Sequence, residues 1–257
     1  MQESDLDLLL RVANGAGDIA LRHFSTDVRI WEKEDNAGPV TEADLEVNAY
    51  LAEELRSARP EYGWLSEETE DGFERLLTKR QFVIDPIDGT RAFIERSENW
   101  AHSIAVVEEG RPVAAVVAMP KKGITYSAAK GQGAHANGDP ITVTKTERIK
   151  DATILTAKPN LRSECWKGGR VPPFKTSFRS SLAYRMCLTA SGRFDAMLTL
   201  RPTWEWDIAA GTLIVEEAGG YAIDQDGALL RFNNPHPKLS GVLAGGPIVP
   251  NLVTQLA

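Results

Sequence analysis

Cysteine is scarce in this chain of 257 residues: Cys165 and Cys187 are the only two, and neither stands in a zinc-ligand spacing. The four histidines, His23, His102, His135 and His236, form no ligand-spaced pair, so a zinc centre is not expected. Long apolar runs are also missing. The longest, Val113 to Pro120, falls far short of the roughly 20 residues that a bilayer-spanning helix requires. The opening residues, Met1-Gln2-Glu3-Ser4-Asp5, lack the basic start of a secretory signal. Positive charge is in the minority, 29 Lys and Arg against 36 Asp and Glu for a net charge of −7, and no basic–aromatic stripe stands out. That balance disfavours a nucleic-acid partner. These absences predict a soluble cytoplasmic protein with reduced thiols, no membrane contact and no nucleic-acid partner. An anionic substrate is not excluded, because bound divalent cations reverse a local field.

What is present is an ordinary globular composition, 42% hydrophobic and 25% charged, on a chain long enough to bury a large core. Ser4 with Asp7 resembles a capping box, and Leu6, Leu9, Leu10, Ala13, Ala20 and Phe24 fall on one face of the helix after it. A second helix is predicted from Thr41, with Val47, Leu51 and Leu55 as its buried stripe. Tyr62 to Leu65 and Phe82 to Ile84 read as strands. Apolar runs over 104–107 and 113–117 flank Glu109-Gly110, a hairpin signal, and Asn137-Gly138 is a second turn. Beyond Asp151 the chain alternates: a strand near Ile154, a helix over 181–190, a strand over 194–200, a helix after Asp207 closed by Gly219-Gly220, and a strand near Val242. The pattern predicts an α+β half over residues 1–150 and an α/β half over 151–257, forming one functional unit.

The most informative stretch is Asp85-Pro86-Ile87-Asp88-Gly89-Thr90. It places two carboxylates three residues apart where a strand leaves the core, with a carbonyl between them and a glycine and a hydroxyl following. Oxygen donors of this kind suit a hard cation such as Mg²⁺. Backbone N–H groups of Gly89 and Thr90 are candidates to meet a phosphate. Asp-Pro and Asp-Gly also form plain surface turns, but the apolar strand feeding this one favours function. Glu67 in Leu65-Ser66-Glu67-Glu68 and Asp207 after Trp204-Glu205-Trp206 are further candidates. Each has a structural alternative: a solvated Glu pair for the first, a helix N-cap for the second. Asp44 in Thr41-Glu42-Ala43-Asp44 reads equally as part of a capping box. Taken together, the carboxylates supply what two-metal phosphoryl transfer needs, and no nucleophilic Cys or His is required. An aromatic at Trp100, near His102, is a candidate either for the core or for stacking on a ligand base.

Taken in order, Val40-Thr41-Glu42-Ala43-Asp44, Leu65-Ser66-Glu67-Glu68, Asp85-Pro86-Ile87-Asp88-Gly89-Thr90 and Trp206-Asp207-Ile208-Ala209-Ala210-Gly211 resemble the motifs of the inositol monophosphatase superfamily. Gly131-Gln132-Gly133-Ala134 leading to Asn137-Gly138 extends the likeness, which covers essentially the whole chain. The resemblance implies a layered αβαβα sandwich of the inositol monophosphatase / fructose-1,6-bisphosphatase type. It implies Mg²⁺-dependent, lithium-sensitive hydrolysis of a small phosphate monoester, with two or three ions, and a homodimer. By position, Glu67, Asp85 and the carbonyl of Ile87 would hold one ion, and Asp85, Asp88 and Asp207 a second. Thr90, backed by Asp44, would orient the attacking water together with Glu67, and the substrate would meet Asp88, Gly89, Thr90, Arg91 and Asp207.

The substrate is less fixed. Arg201-Pro202-Thr203-Trp204-Glu205-Trp206-Asp207 and Thr90-Arg91-Ala92-Phe93-Ile94 resemble elements of CysQ-type 3′(2′),5′-bisphosphate nucleotidases. Leu200 replaces the hydroxyl-binding Glu that inositol phosphatases carry seven residues before the last metal Asp. An apolar side chain there cannot accept hydroxyl hydrogen bonds. Against this, Ala190-Ser191-Gly192-Arg193-Phe194-Asp195 and Glu216-Glu217-Ala218-Gly219-Gly220 look as much like bacterial inositol phosphatases. A nucleotide bisphosphate also needs cations for its second phosphate, and Lys158, Lys175, Arg179 and Arg91 are candidates. The expectation is therefore a bisphosphate nucleotidase, with an inositol or broad sugar phosphatase second and a catalytically idle regulatory protein a distant third.

Overall fold

The computed structural model describes residues 3–32 and 38–257. Ser4 caps α1 (Asp5–Phe24) by accepting from the Asp7 N–H. After β1 (Ile30–Glu32) and β2 (Pro39–Thr41), Thr41 and Asp44 close a reciprocal capping box on α2 (Glu42–Ala58). The chain then builds a seven-stranded sheet from β3 (Gly63–Ser66) and β4 (Arg80–Asp88), β5 (Ala101–Glu108), β6 (Arg111–Met119), β7 (Ile124–Ala129), β8 (Ala134–Ala136) and β9 (Asp139–Ile141). A short helix, α3 (Thr90–Ile94), links β4 to β5. The strands lie in sequence order, parallel for β3 and β4 and antiparallel thereafter. Both expected turns are two-residue connections with positive φ at each position, 51° and 80° at Glu109-Gly110 and 51° and 87° at Asn137-Gly138. That is the turn whose twist matches paired strands.

The second half contributes β10 (Thr153–Leu155), β11 (Lys175–Ser177), α4 (Leu182–Ala190), β12 (Ala196–Thr199), β13 (Thr203–Trp204) and α5 (Glu205–Glu217). It closes with β14 (Tyr221–Ile223), β15 (Lys238–Leu239), β16 (Val242–Gly245) and α6 (Ile248–Val253). A five-stranded mixed sheet runs in the order β11-β10-β12-β16-β14.

Alternation along the buried strands sorts the layers. Phe82, Ile84, Ile104 and Val106 face the helices α1 and α2. Their neighbours Val83, Ala105 and Val107 face α4 and α5, which also cover Leu155, Met197, Val242 and Ala244 of the second sheet. Ile154, Leu198 and Leu243 on its far side pack against Ile248, Val249 and Leu252 of α6. The result is the αβαβα sandwich. Truncating one central side chain such as Phe82, fully buried, to Ala costs about 3–5 kcal/mol.

Two local expectations are corrected. In α1 the buried side is Leu8, Leu9, Val12, Ala13, Ala16, Ile19, Ala20 and Phe24, while Leu6 and Leu10 sit half-buried at its margin. The stripe is wider than the one read from the sequence, because the helix lies flat on β5 and β6. The strand expected to end at Ile84 continues to Asp88. Among the described residues, no helix is long and apolar enough to cross a membrane.

Candidate active site

In a regular strand, residues three apart face opposite sides of the sheet. Asp85 and Asp88 are three apart on β4 and yet lie together, because the pairing of β4 with β5 slips between them. Asp85 stands opposite Ser103 and Asp88 opposite Ala101, so three steps on one strand match two on the other. This is a bulge with one extra residue. Pro86 sits within it, where a missing N–H is tolerated. Its carbonyl oxygen accepts from Nδ1 of the buried His102, and burial lowers the His102 pKa to about 4, keeping the imidazole neutral. Gly89 follows with φ +99°, and a Cβ there would lie 3.1 Å from the Asn99 carbonyl oxygen. Glycine is needed on both counts.

The bulge and the start of α5 bring one carboxylate oxygen each from Asp85, Asp88 and Asp207 within 4.8 Å of one another. Asp85 is 2% exposed, and its Oδ1 is buried with no hydrogen-bond partner. Burial, followed by the charges of Glu67, Asp88, Asp207 and Asp44, pushes its pKa well above the usual carboxylate range. Asp88 accepts from Ser181 Oγ at 2.6 Å and from the Ala183 N–H at 2.7 Å, at the N-terminus of α4. Burial still outweighs those bonds and raises its pKa to about 6. A buried carboxylate with an orphaned oxygen among other carboxylates is costly unless a cation meets it. This all-oxygen donor set fits Mg²⁺.

Asp207 lies in the first turn of α5, two residues inside the helix, and is not its N-cap. The helix starts early because Glu205, fully buried at its first position, is satisfied. Its carboxylate accepts from the Asn233 N–H at 2.6 Å, the Asn234 N–H at 2.9 Å and Asn234 Nδ2 at 2.7 Å. Ser103 Oγ donates to the Trp206 carbonyl at 2.8 Å, tying this turn to β5. Glu67 is half-buried just past β3, with its N–H on the Ile84 carbonyl at 3.1 Å, and its charge bears on Asp85.

Asp44 serves two readings at once. Its Oδ2 accepts from the Thr41 N–H at 2.8 Å and Thr41 Oγ1 at 2.6 Å in the capping box. Its Oδ1 lies 3.3 Å from Thr90 Oγ1, which is also 3.2 Å from the Ile87 carbonyl oxygen. Cap and site are one carboxylate.

The cations named from the sequence differ in setting. Lys158 and Lys175 are exposed, and Arg91 is exposed on α3 with no polar partner among the described residues. Arg179 lines an open cleft of about 580 Å³ with Lys121, Lys122 and Arg193. Trp100 is fully buried against Phe24, Phe93 and His102, so it belongs to the core. The sequence reading missed Arg185, 5% exposed on α4, whose charge is felt by Asp88 and Asp207. The available signal was a lone cation within an otherwise uncharged helix.

This layered αβαβα sandwich carries at a strand bulge a carboxylate cluster able to hold a metal ion, and by family the chain is a phosphatase. The chain belongs to the inositol monophosphatase family, whose sequence pattern matches residues 1–254. It is 31% identical over 237 residues to the 3′(2′),5′-bisphosphate nucleotidase CysQ of Escherichia coli (strain K12), covering 88% of this chain and 93% of that one. It is 35% identical over 197 residues to an inositol-1-monophosphatase of Rhizobium meliloti (strain 1021), covering 73% of each. The fold of a Thermotoga maritima IMPase superposes with a TM-score of 0.82 at 28% identity, over 97% of this chain and 95% of that one.

Proposed function

We propose that this phosphatase is a Mg²⁺-dependent 3′(2′),5′-bisphosphate nucleotidase, converting 3′-phosphoadenosine 5′-phosphate to AMP and phosphate. Glu67, Asp85 and the Ile87 carbonyl would hold one ion, and Asp85, Asp88 and Asp207 another. Mg²⁺, when bound, supplies charge neutralisation for the phosphate and acidity for water. The residues do the positioning. Thr90 would donate its O–H hydrogen bond to Asp44, which leaves its lone pairs to accept from the attacking water, while Glu67 would accept that water's other hydrogen. The N–H groups of Gly89 and Thr90 receive phosphate oxygens, and Asp88 and Asp207 orient the ester.

The observation that carries the substrate choice is Leu200. It follows β12, the central strand of the second sheet, and packs half-buried into the apolar cluster on the α6 side; such a side chain supplies no acceptor for an inositol hydroxyl. The motifs that look like inositol phosphatases are scaffolding. Glu216 pairs with Arg111 at 2.5 Å, Glu217 accepts from the Gly131 and Gly133 N–H groups at 2.8 and 2.9 Å, and Asp195 accepts from the Thr153 N–H at 2.7 Å. Their presence says nothing about the ligand. The R. meliloti relative nonetheless supports inositol 1-phosphate as the second reading.

Phosphate release from 3′-phosphoadenosine 5′-phosphate and from inositol 1-phosphate, measured side by side with Mg²⁺, decides between them. At least tenfold higher kcat/KM for the nucleotide is expected; the reverse order would overturn the nucleotidase reading. The family likeness also supports lithium inhibition, a cytoplasmic setting and a homodimer, the last checked by sedimentation.

A further inference from the structure

We infer that His102 is a positioning residue for the metal site: through Nδ1 it holds the Pro86 carbonyl inside the β4 bulge, and so sets where Asp85, the Ile87 carbonyl and Asp88 meet a divalent cation. The inference deepens the Mg²⁺ part of the proposed function, rests on it for the cation, and is independent of the substrate.

The strand register singles out the residues concerned. Asp85 is opposite Ser103 and Asp88 opposite Ala101, so His102 alone on β5 stands against two residues of β4, Pro86 and Ile87. A bulge takes such residues out of the regular ladder, and their peptide keeps one orientation only if something else holds it. Pro86 supplies one constraint, since its ring fixes φ. His102 supplies the other. A carbonyl oxygen can only accept, so Nδ1 carries the hydrogen, and this bond fixes the rotation of the planar Pro86–Ile87 peptide. The Ile87 carbonyl then lies between a fixed peptide on one side and the paired Asp88 on the other. Thr90 Oγ1, 3.2 Å from the Ile87 oxygen, is placed with it.

His102 does this from behind the site. Trp100 and Ile104 of β5 face α1 and α2, and His102, between them on the same face of the strand, points that way too. Asp88 is held on the opposite side, by Ser181 and Ala183 at the N-terminus of α4. The imidazole is therefore a brace and not itself a ligand. It is fully buried, and burial keeps it neutral. The Trp100 ring meets it edge-on at 5.6 Å between centroids, and Phe93 of α3 packs on Trp100 at 5.0 Å, which fixes the plane of the imidazole. Its second nitrogen, Nε2, is buried with no hydrogen-bond partner among the described residues. An orphaned buried acceptor is destabilising, and an apolar side chain at this position would avoid it. Packing alone gives no reason to carry that loss; donation from Nδ1 to the bulge does.

Two readouts test this. The first is the NMR spectrum of metal-free wild type with ¹⁵N in the rings of its four histidines, the His102 signal being assigned by its loss in His102→Asn. The Nδ1–H tautomer is expected. An Nε2–H tautomer would overturn the inference, because the Pro86 carbonyl has no hydrogen to give in return. The second is calorimetric titration of Mg²⁺ into wild type, His102→Phe and His102→Asn. Phenylalanine keeps a ring and removes the donor, whereas the asparagine amide nitrogen stands near the place of Nδ1. His102→Phe is expected to bind Mg²⁺ at least tenfold more weakly, and His102→Asn to stay within about threefold of wild type, since groups that orient a metal's ligands act through their hydrogen bonds. Equal affinity in all three proteins, or an equal loss in both variants, would overturn the inference and leave His102 as core packing. If His102→Phe does not fold, the tautomer decides together with His102→Asn, whose loss of Mg²⁺ affinity would overturn the inference. Absence of Mg²⁺ binding in wild type would overturn the metal reading itself, and this inference with it.

Discussion

At the scale of single residues, Asp85 concentrates the problem that the site solves. Its buried Oδ1 has no partner, and four other carboxylates act on it. In the absence of cations the raised pKa values of Asp85 and Asp88 mean that protons are held more tightly in the folded chain than in the unfolded one. Their stabilising effect is then full below about pH 4 and is lost for Asp88 as pH rises through about 6. His102 runs the other way, buried and neutral with its pKa lowered to about 4, so its contribution is lost as pH falls below the ordinary value of 6.5. Stability alone would mix the two. The difference in Tm with and without Mg²⁺ isolates the carboxylates, and it should grow as pH rises from 5 to 8 in calorimetry at fixed ionic strength. A constant difference would mean that Mg²⁺ does not compete with those protons. Thr90→Ala, which removes the hydroxyl backed by Asp44, is expected to lower kcat by about 10–100-fold, in the range for groups that position others at metal sites. Most of these side chains were legible in the sequence, because carboxylates crowded at strand and helix ends have few structural reasons to be there. Asp44 was hardest to read from its own spacing: T-x-x-D marks a cap, and only the family resemblance pointed from that carboxylate to Thr90. Arg185 was passed over because its one signal, a lone cation in an uncharged helix, reads as surface until burial is known.

At the scale of elements, the bulge in β4 does what side-chain chemistry alone cannot, by putting two carboxylates with odd spacing on one side. The sequence showed the turn residues but not that the strand runs on through them, since register depends on the partner strand. Gly89→Ala is expected to destabilise by about 1–2 kcal/mol from its left-handed φ alone. Contact with the Asn99 carbonyl adds to this, and activity should fall more than Tm because α3 carries Thr90. The N-terminus of α5 makes a second case. Glu205 was readable only as part of a W-x-W-D motif, yet its carboxylate clamps the loop at Asn233 and Asn234. Arg75 joins the same clamp through Asn233 Oδ1 at 2.7 Å and the Asn234 carbonyl at 2.9 Å. Glu205→Ala would strand buried N–H donors at about 1–3 kcal/mol each. A fall in Tm together with weakened Mg²⁺ binding through Asp207 is the expected outcome. Loss of stability with Mg²⁺ affinity intact would detach the clamp from the site.

At the scale of the whole molecule, two sheets with α4 and α5 between them deliver the site. The central helices are buried on both sides, so their N-termini are fixed with respect to both sheets. One N-terminus holds Asp88 through Ser181 and Ala183, and the other carries Asp207. The layers were legible only through the family resemblance that the motif order carries, since the pattern alone gave an α+β half and an α/β half, and the order of strands in the second sheet was not legible because its strands are short and its crossovers long. A net charge of −7 does not exclude a phosphate substrate, because bound cations would reverse the field at the carboxylates. Activity is accordingly expected to vanish on chelation and to return with Mg²⁺, read as phosphate release before and after dialysis.

The most direct test of the carboxylate cluster is calorimetric titration of Mg²⁺ into the metal-free protein and into Asp85→Asn, in two buffers of different ionisation enthalpy at pH 6.5. The account predicts saturable binding to the wild type with net proton release, and a loss of at least tenfold in affinity and of the proton signal in the variant. Equal Mg²⁺ binding by both proteins, with no protons released, would contradict it.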